Sequence, residues 1–318
     1  MPSLSHLPLF DALASARSVL IAGAGGGFDV YAGLPLALAL ARPDRRVHLA
    51  NLSFSALGSS DARWLGPAVA EITAETRGND GYFPERSLAR WLAERGTPAP
   101  VYAFDNTGVQ PVRDGYRVLR DLLGLDAIVL VDGGTDILMR GDEAGLGTPE
   151  EDMVSLAAVA GLDGVATRLV VCIGFGVDAF HGVCHAHFLE NAAALERDGG
   201  YLGTFSLPRR SPEGEAYLDA VAHSRSESPR RPSIVNGSIA AALRGEFGDA
   251  QFTDRTNGSE LFVNPLMSMY WAFDLAAVAA RSLYLPLLED TQDLFHVRVR
   301  IERFREGVEH RARRVIPH

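Results

Sequence analysis

A strand, a glycine-rich turn and a helix follow one another without a break at residues 18–41, SVLIAGAGGGFDVYAGLPLALALA. Val19-Leu20-Ile21-Ala22 is long enough for one buried strand. Gly23, Gly25, Gly26 and Gly27 make the turn, and residues 30–41 are mostly Leu and Ala. This order is the first half of a βαβ unit and commits the chain to a parallel sheet. Glycine carries no Cβ and accepts φ > 0, so the backbone of such a turn can close on a ligand. The helix start adds a positive dipole end that favours an anion. Gly25, Gly26, Gly27, Phe28 and Asp29 are therefore expected to bind the ligand. The pattern G-A-G-G-G-F puts Phe28 where a dinucleotide fingerprint has its third glycine. The second strand, 47–51, ends in Asn51 where that fingerprint expects a ribose-binding acid.

Composition narrows the chemistry. The 318 residues are 47% hydrophobic, enough for a large core. A net charge of −10 argues against a nucleic-acid surface. Two cysteines, Cys172 and Cys184, suit a reducing cytoplasm, and neither a signal peptide nor an apolar run of membrane-spanning length is evident. The expectation is a cytoplasmic protein with a small-molecule partner, no membrane partner and a possible homo-oligomeric contact. There is no lysine; all 30 basic residues are arginine. Arginine stays protonated, which removes Schiff-base chemistry, pyridoxal-phosphate attachment and the P-loop lysine.

Further strands are expected at 101–105, 127–131 and 168–173, with helices at 86–95, 111–124, 181–197 and from Thr148 to about residue 160. Thr148-Pro149-Glu150-Glu151 has the form of a capping box with proline at the first helical position. Residues 68–76, 234–243 and 267–288 read as helical. Residues 206–232 carry little apolar content and read as a mobile insertion. Residues 296–304 alternate Val297, Val299 and Ile301 with charges, as in a half-exposed edge strand suited to an oligomer contact. The fold expected is a single α/β domain over 1–318. It is a three-layer α/β/α sandwich with a Rossmann-like, mostly parallel sheet and a helical C-terminal part.

Ligands of open α/β sheets collect at the carboxyl ends of the strands. Those ends supply Asp29, Asn106, Thr107, Asp132, Gly133, Gly134, Thr135, Asp136 and Asp178. Several carboxylates on one rim repel unless a cation, a proton or a polar ligand joins them. Asp132 and Asp136 flank two glycines and are candidates for catalysis and for a divalent metal such as Mg²⁺ or Mn²⁺. Asp142-Glu143 belongs either to this site or to an exposed loop. His181, His185 and His187 invite a zinc reading, but His187 falls off the i, i+4 face. His181 as a general acid or base is more economical.

GAGGGFDVYAGLPLA at 23–37, VDGGTDILMRGDEAGLGTPEED at 131–152 and GFGVDAFHG at 174–182 resemble the DUF1152 family of uncharacterised proteins over most of the chain. The Asp132-Gly133-Gly134 turn is similar to one in the D-glutamate cyclase family of hydro-lyases, with Thr135-Asp136 where that family has an amide and a glutamate. The glycine loop is similar to the NAD-binding fold of deoxyhypusine synthase, whose chemistry the missing lysine opposes. The function expected is a lyase or hydrolase acting on a carboxylate- or phosphate-bearing metabolite held at the glycine loop. The alternatives are a nucleotide-dependent, NAD-type oxidoreductase or transferase, and a non-catalytic ligand-binding or oligomeric protein.

Overall fold

The computed structural model describes residues 6–316. In chain order the strands are β1 (Ser18–Gly23), β2 (Arg46–Leu52), β3 (Arg63–Gly66), β4 (Val69–Ile72), β5 (Val101–Phe104), β6 (Ala127–Asp132), β7 (Thr167–Cys172) and β8 (Tyr201–Ser206). Next, β9 (Gly248–Asp249) and β10 (Phe262–Val263) pair as a separate ribbon, and β11 (Met269–Asp274) rejoins the large sheet. That sheet has the order β3-β4-β5-β2-β1-β6-β7-β11-β8. Its centre, β5-β2-β1-β6-β7, is parallel. Antiparallel strands close both edges.

The helices are α1 (Pro8–Ala12), α2 (Asp29–Leu40), α3 (Pro84–Glu94), α4 (Val109–Leu123), α5 (Pro149–Ala160), α6 (His185–Arg197), α7 (Pro212–Glu227), α8 (Ile234–Arg244), α9 (Leu275–Arg281) and α10 (Leu294–Glu306). α2, α3 and α7 pack together on one side of the sheet, and α4, α5, α9 and α10 on the other. The strands alternate between these two cores. In β1, Leu20 and Ala22 join the α4/α5 side while Val19 and Ile21 join the α2/α7 side; in β6, Ile128 and Leu130 face one way and Val129 and Val131 the other. Both faces are covered, so the runs read as bare apolar segments. The architecture is the expected α/β three-layer sandwich, and no helix among the described residues is long and apolar enough to cross a membrane.

Four expected elements come out differently. Residues 68–76 supply β4, whose Val69 pairs with Phe104 at the sheet edge. Within 267–288, Tyr270, Trp271 and Phe273 form β11, because aromatic side chains pack on a pleated surface better than on a crowded helix. Asp274 ends the strand and caps α9 through the Ala277 N–H at 2.8 Å. Residues 296–304 lie in α10, not in a strand: Asp293 caps it through the His296 N–H at 2.9 Å, and Val297 and Ile301, four apart, are its buried contacts. The stretch 206–232 holds α7. Ser211 caps it by accepting from the Gly214 N–H at 3.1 Å, Pro212 takes the first turn, and Ala216, Tyr217 and Ala220 are buried. The N-terminal helix is short, Pro8–Ala12.

α2 approaches β1 closely where Gly33 faces Ile21; a Cβ there would stand 2.5 Å from Ile21 Cγ2. Gly33→Ala gains roughly 1 kcal/mol of helix propensity. It also forces a methyl into a closed contact on the central strand, which costs about 1–3 kcal/mol. The clash wins, so the denaturant midpoint of Gly33→Ala is expected to fall; an increase would mean that α2 can move off the sheet freely.

Candidate functional site

After β1 the chain runs outward through β2 and β5, and β6 then returns to pair with the opposite side of β1. The connections after β1 and β6 therefore leave in opposite directions, which opens a crevice at their carboxyl ends. Ala24 N–H still bonds to Val131 O at 2.9 Å, so the glycine turn and the Asp132-Gly133-Gly134 turn start side by side. A cleft of about 720 Å³ lies above them. Asp29, Asp132, Asp136, Glu151, Asp152 and Asp178 all line it.

The glycines make room for these carboxylates. A Cβ on Gly25 would stand 2.8 Å from oxygens of both Asp29 and Asp152. One on Gly133 would stand 2.6 Å from Asp29 Oδ1, and one on Gly134 2.7 Å from Asp178 Oδ2. Gly26 and Gly27 take φ of 87° and 62°, reachable cheaply only by glycine, and lie against the Phe54 ring and Tyr82 hydroxyl. The Gly25 N–H donates to Asp29 Oδ2 at 2.8 Å, so one turn donor serves the chain's own carboxylate. Asn51, where a ribose-binding acid was sought, is buried as a staple: its Oδ1 accepts from Val30 N–H at 3.2 Å, and its Nδ2 donates to Gly27 O and Glu85 Oε1.

The carboxylates fall into two groups. Asp136 Oδ2 accepts from Thr148 N–H at 2.7 Å and Thr148 Oγ1 at 3.0 Å, so Thr148 braces Asp136 instead of capping α5 with its side chain. Asp178 Oδ2 accepts from the Thr135 N–H at 2.7 Å. Asp29, Asp132 and Asp152, by contrast, each offer an oxygen within 4.8 Å of the other two. Asp132 keeps Oδ2 on the Ile137 N–H at 3.2 Å. Asp152 is 1% exposed, and among the described residues neither of its oxygens receives a hydrogen bond. Ser155, one turn on, donates to Ala24 O at 2.8 Å and ties this face of α5 to the glycine turn.

Of the other expected residues, Gly25 to Asp29, Asp132, Gly133, Asp136, Asp178 and His181 line the cleft. Gly134 and Thr135 lie beneath it and hold Asp178. Asn106 and Thr107 are not brought into the cleft: Asn106 Nδ2 reaches Glu151 at 3.4 Å and Thr107 Oγ1 turns to Asp105 O. Asp29, Asp132 and Asp152 form the compact carboxylate group, whereas Asp136, expected beside Asp132 as a metal ligand, gives its Oδ2 to Thr148. The three histidines separate. His181 is exposed at the cleft, His185 lies against Phe175, and His187 Nε2 meets Ala312 O at 3.1 Å. Glu143 is fully buried away from the cleft, where it accepts from the Gly141 N–H and Asn191 and pairs with Arg311. Cys184 donates to Arg314 O at 3.2 Å.

The family described as "Protein of unknown function (DUF1152)" matches residues 58–309, well over half of the chain. The chain belongs to the DUF1152 family. No curated protein matches it. The DUF1152 match takes in Asp132, Asp136, Asp152, Asp178 and His181, and begins after the glycine turn. Sequence reasoning missed Asp152, Glu151, Phe54, Tyr82, Arg230, Arg231 and Arg255, all of which line the cleft. Glu151 was assigned to a cap. Three consecutive acids, Glu150-Glu151-Asp152, are more than a cap needs, and that excess is the available signal.

The electrostatics of this DUF1152 cleft are set by burial. Burial, reinforced by the neighbouring carboxylates, pushes Asp132, Asp152 and Asp178 well above the usual carboxylate range. Burial also raises Asp136, while Thr148 and His181 draw it back. Burial raises Asp29 to about 7, against bonds from the Gly25 and Gly133 backbone. Because the folded value of Asp29 lies above 3.8, the folded chain keeps a proton that the unfolded chain has lost. Its stabilising contribution is whole below about pH 4 and is lost as pH rises through about 7. In a chelating buffer, the unfolding free energy of the wild type relative to Asp29→Asn is expected to fall by a few kcal/mol over that window. A flat difference in denaturant titrations would mean that Asp29 is ionised in the metal-free fold.

Proposed function

We propose that this protein is a divalent-cation-dependent enzyme, a hydrolase or lyase acting on a small anionic metabolite. The observation that carries the reading is Asp152: a carboxylate buried beside Asp29 and Asp132, with no hydrogen-bond donor among the described residues on either oxygen. A buried charge without a partner is costly. A hard cation satisfies three such carboxylates at once, and Mg²⁺ or Mn²⁺ suits oxygen ligands while keeping positions for water and substrate. That cation would polarise a substrate oxygen and orient it.

The remaining groups supply proton traffic and recognition. Arg230, Arg231 and Arg255 border the same cleft above the acidic floor and can hold an anion. We assign the anion to this arginine rim, since the glycine turn already faces Asp29, Phe54 and Tyr82. His181 lies at the mouth and acts on Asp136 electrostatically. In the hydrolytic branch, water oxygen bonds the electrophilic centre, its proton passes to a cleft carboxylate, and the leaving oxygen takes a proton from His181. In the elimination branch, a carboxylate takes a C–H proton and the departing hydroxyl leaves as water with the His181 proton. The likeness of the Asp132-Gly133-Gly134 turn to the D-glutamate cyclase hydro-lyases agrees with that second branch. Neither branch needs a lysine or a redox cofactor. Two free, buried cysteines accord with the cytoplasmic location we propose.

Asp152→Asn separates metal binding from folding. Followed by Mn²⁺ paramagnetic resonance, the variant is expected to lose about ten-fold or more in affinity, at least the loss seen for supporting residues of metal sites. Its metal-free unfolding midpoint should hold, because burial already disfavours the charged form of Asp152 and an amide of the same shape replaces it. Hydrolysis or elimination of phosphorylated and carboxylated metabolites should require Mn²⁺ or Mg²⁺ in the wild type and vanish in the variant. Unchanged Mn²⁺ affinity in Asp152→Asn would overturn the reading.

A further inference from the structure

A second cavity of about 650 Å³ adjoins the acidic cleft. Arg230 and Arg255 line both. Arg231 borders only the first and Arg225 only the second, whose wall continues through Gln251, Thr253 and Asn257 and includes one carboxylate, Asp254, against its three arginines. None of these four arginines is ion-paired with a carboxylate among the described residues. In a chain with 40 acidic residues, four unpaired guanidinium groups around two joined cavities form a cationic rim over an anionic floor.

Tyr82 marks the boundary between rim and floor. Burial and the charges of Glu85 and Asp29 raise its phenol, while Arg255 and Arg231 pull it down. The arginine charges therefore reach into the cleft itself. Arg255 is held in place by one bond, from Nη1 to Pro232 O at 2.7 Å, which leaves the rest of its planar fork available.

We propose that the metabolite is phosphorylated, and that Arg230 and Arg255, at the junction of the two cavities, bind its phosphate. This rests on the cation-dependent reading above and specifies which anion the site takes. The choice of phosphate follows from counting oxygens. One group that faces both a cation at Asp29, Asp132 and Asp152 and two arginine forks needs more acceptors than the two oxygens of a carboxylate. A phosphate monoester offers three terminal oxygens, and guanidinium forks match their spacing. The second cavity leaves space beyond the arginines for the organic part of the molecule, against amide and hydroxyl side chains.

The test uses inorganic pyrophosphate and malonate as probes, by calorimetric titration of the full chain in excess Mg²⁺ and again in a chelating buffer. Pyrophosphate is expected to bind the wild type more tightly than malonate. The double variant Arg230→Gln/Arg255→Gln is expected to lose about ten-fold or more of the pyrophosphate affinity, the scale of losing charge-assisted hydrogen bonds. Both arginines are exposed, so the variant should keep the wild-type unfolding midpoint, and its Mn²⁺ affinity should be unchanged. Equal pyrophosphate affinity in the wild type and the double variant overturns the proposal, as does malonate binding at least as tightly. Arginine-dependent pyrophosphate binding that persists in the chelating buffer, in a protein that binds no Mn²⁺, would uphold the arginine site and defeat the cation reading instead.

Discussion

Carboxylates buried side by side repel one another, and that repulsion is the constraint around which this molecule is arranged. Asp29, Asp132, Asp136, Asp152 and Asp178 are all less than a tenth exposed at one end of the sheet. Four of them are partly relieved by donors: Asp29 by Gly25, Asp132 by Ile137, Asp136 by Thr148 and Asp178 by Thr135. Asp152 has no such relief. A fold optimised only for stability would place an apolar or amide side chain there, since an unpaired buried charge costs more than it returns. Strain of this kind at one cleft, with a well-packed core beneath, is the pattern expected where a site is held ready for a charged partner.

Rigidity makes the arrangement sustainable. The glycine turn is pinned from several directions by buried polar groups. Asn51 holds Gly27 O and Val30 N–H, Ser155 holds Ala24 O, and Asn236 holds Phe28 O at 3.1 Å while Tyr217 holds Asn236 at 2.8 Å. Each bond is modest alone, but a fully satisfied network in a low-dielectric interior resists rearrangement. Tyr217 comes from α7 and Asn236 from α8, so the C-terminal half supports the first βα turn. The same half contributes the arginine rim. The acidic floor thus comes from residues between 29 and 178 and the arginine rim from residues 230–255.

The tail performs a separate structural task. Arg311 reaches Asp142, Glu143 and Glu190, and backbone carbonyls of Ala312 and Arg314 meet His187 and Cys184. His187, attractive in a linear reading as a metal candidate, and Cys184 are used to bind the C-terminal segment to α6. Buried polar side chains need partners, and here the chain supplies them itself.

The parallel core was legible because a strand buried on both faces can be built only from a continuous apolar run, and its turns need glycine where the backbone folds back. Residues 18–41 and 127–136 carried that information locally, and with it the positions of Asp29 and Asp132. Local pattern failed where two periods coincide. Val297 and Ile301 satisfy both an alternating strand and an i, i+4 helix, and the Asp293 cap and the packing against α5 selected the helix. α7 was hidden because its buried side is glycine, alanine, serine and a single tyrosine, matched to a close neighbour in α2. Which acids share a site was beyond any local signal. Asp29, Asp132 and Asp152 are far apart in sequence, and only the order of strands and the tie from Ser155 to Ala24 carry Asp152 to the other two. Sequence alone determined the kind of sheet and the rim on which acids and glycines stand, because those follow from backbone requirements at each position. Tertiary structure alone decided which carboxylates are left without partners, because hydrogen-bond satisfaction is settled between segments that meet only in the folded chain.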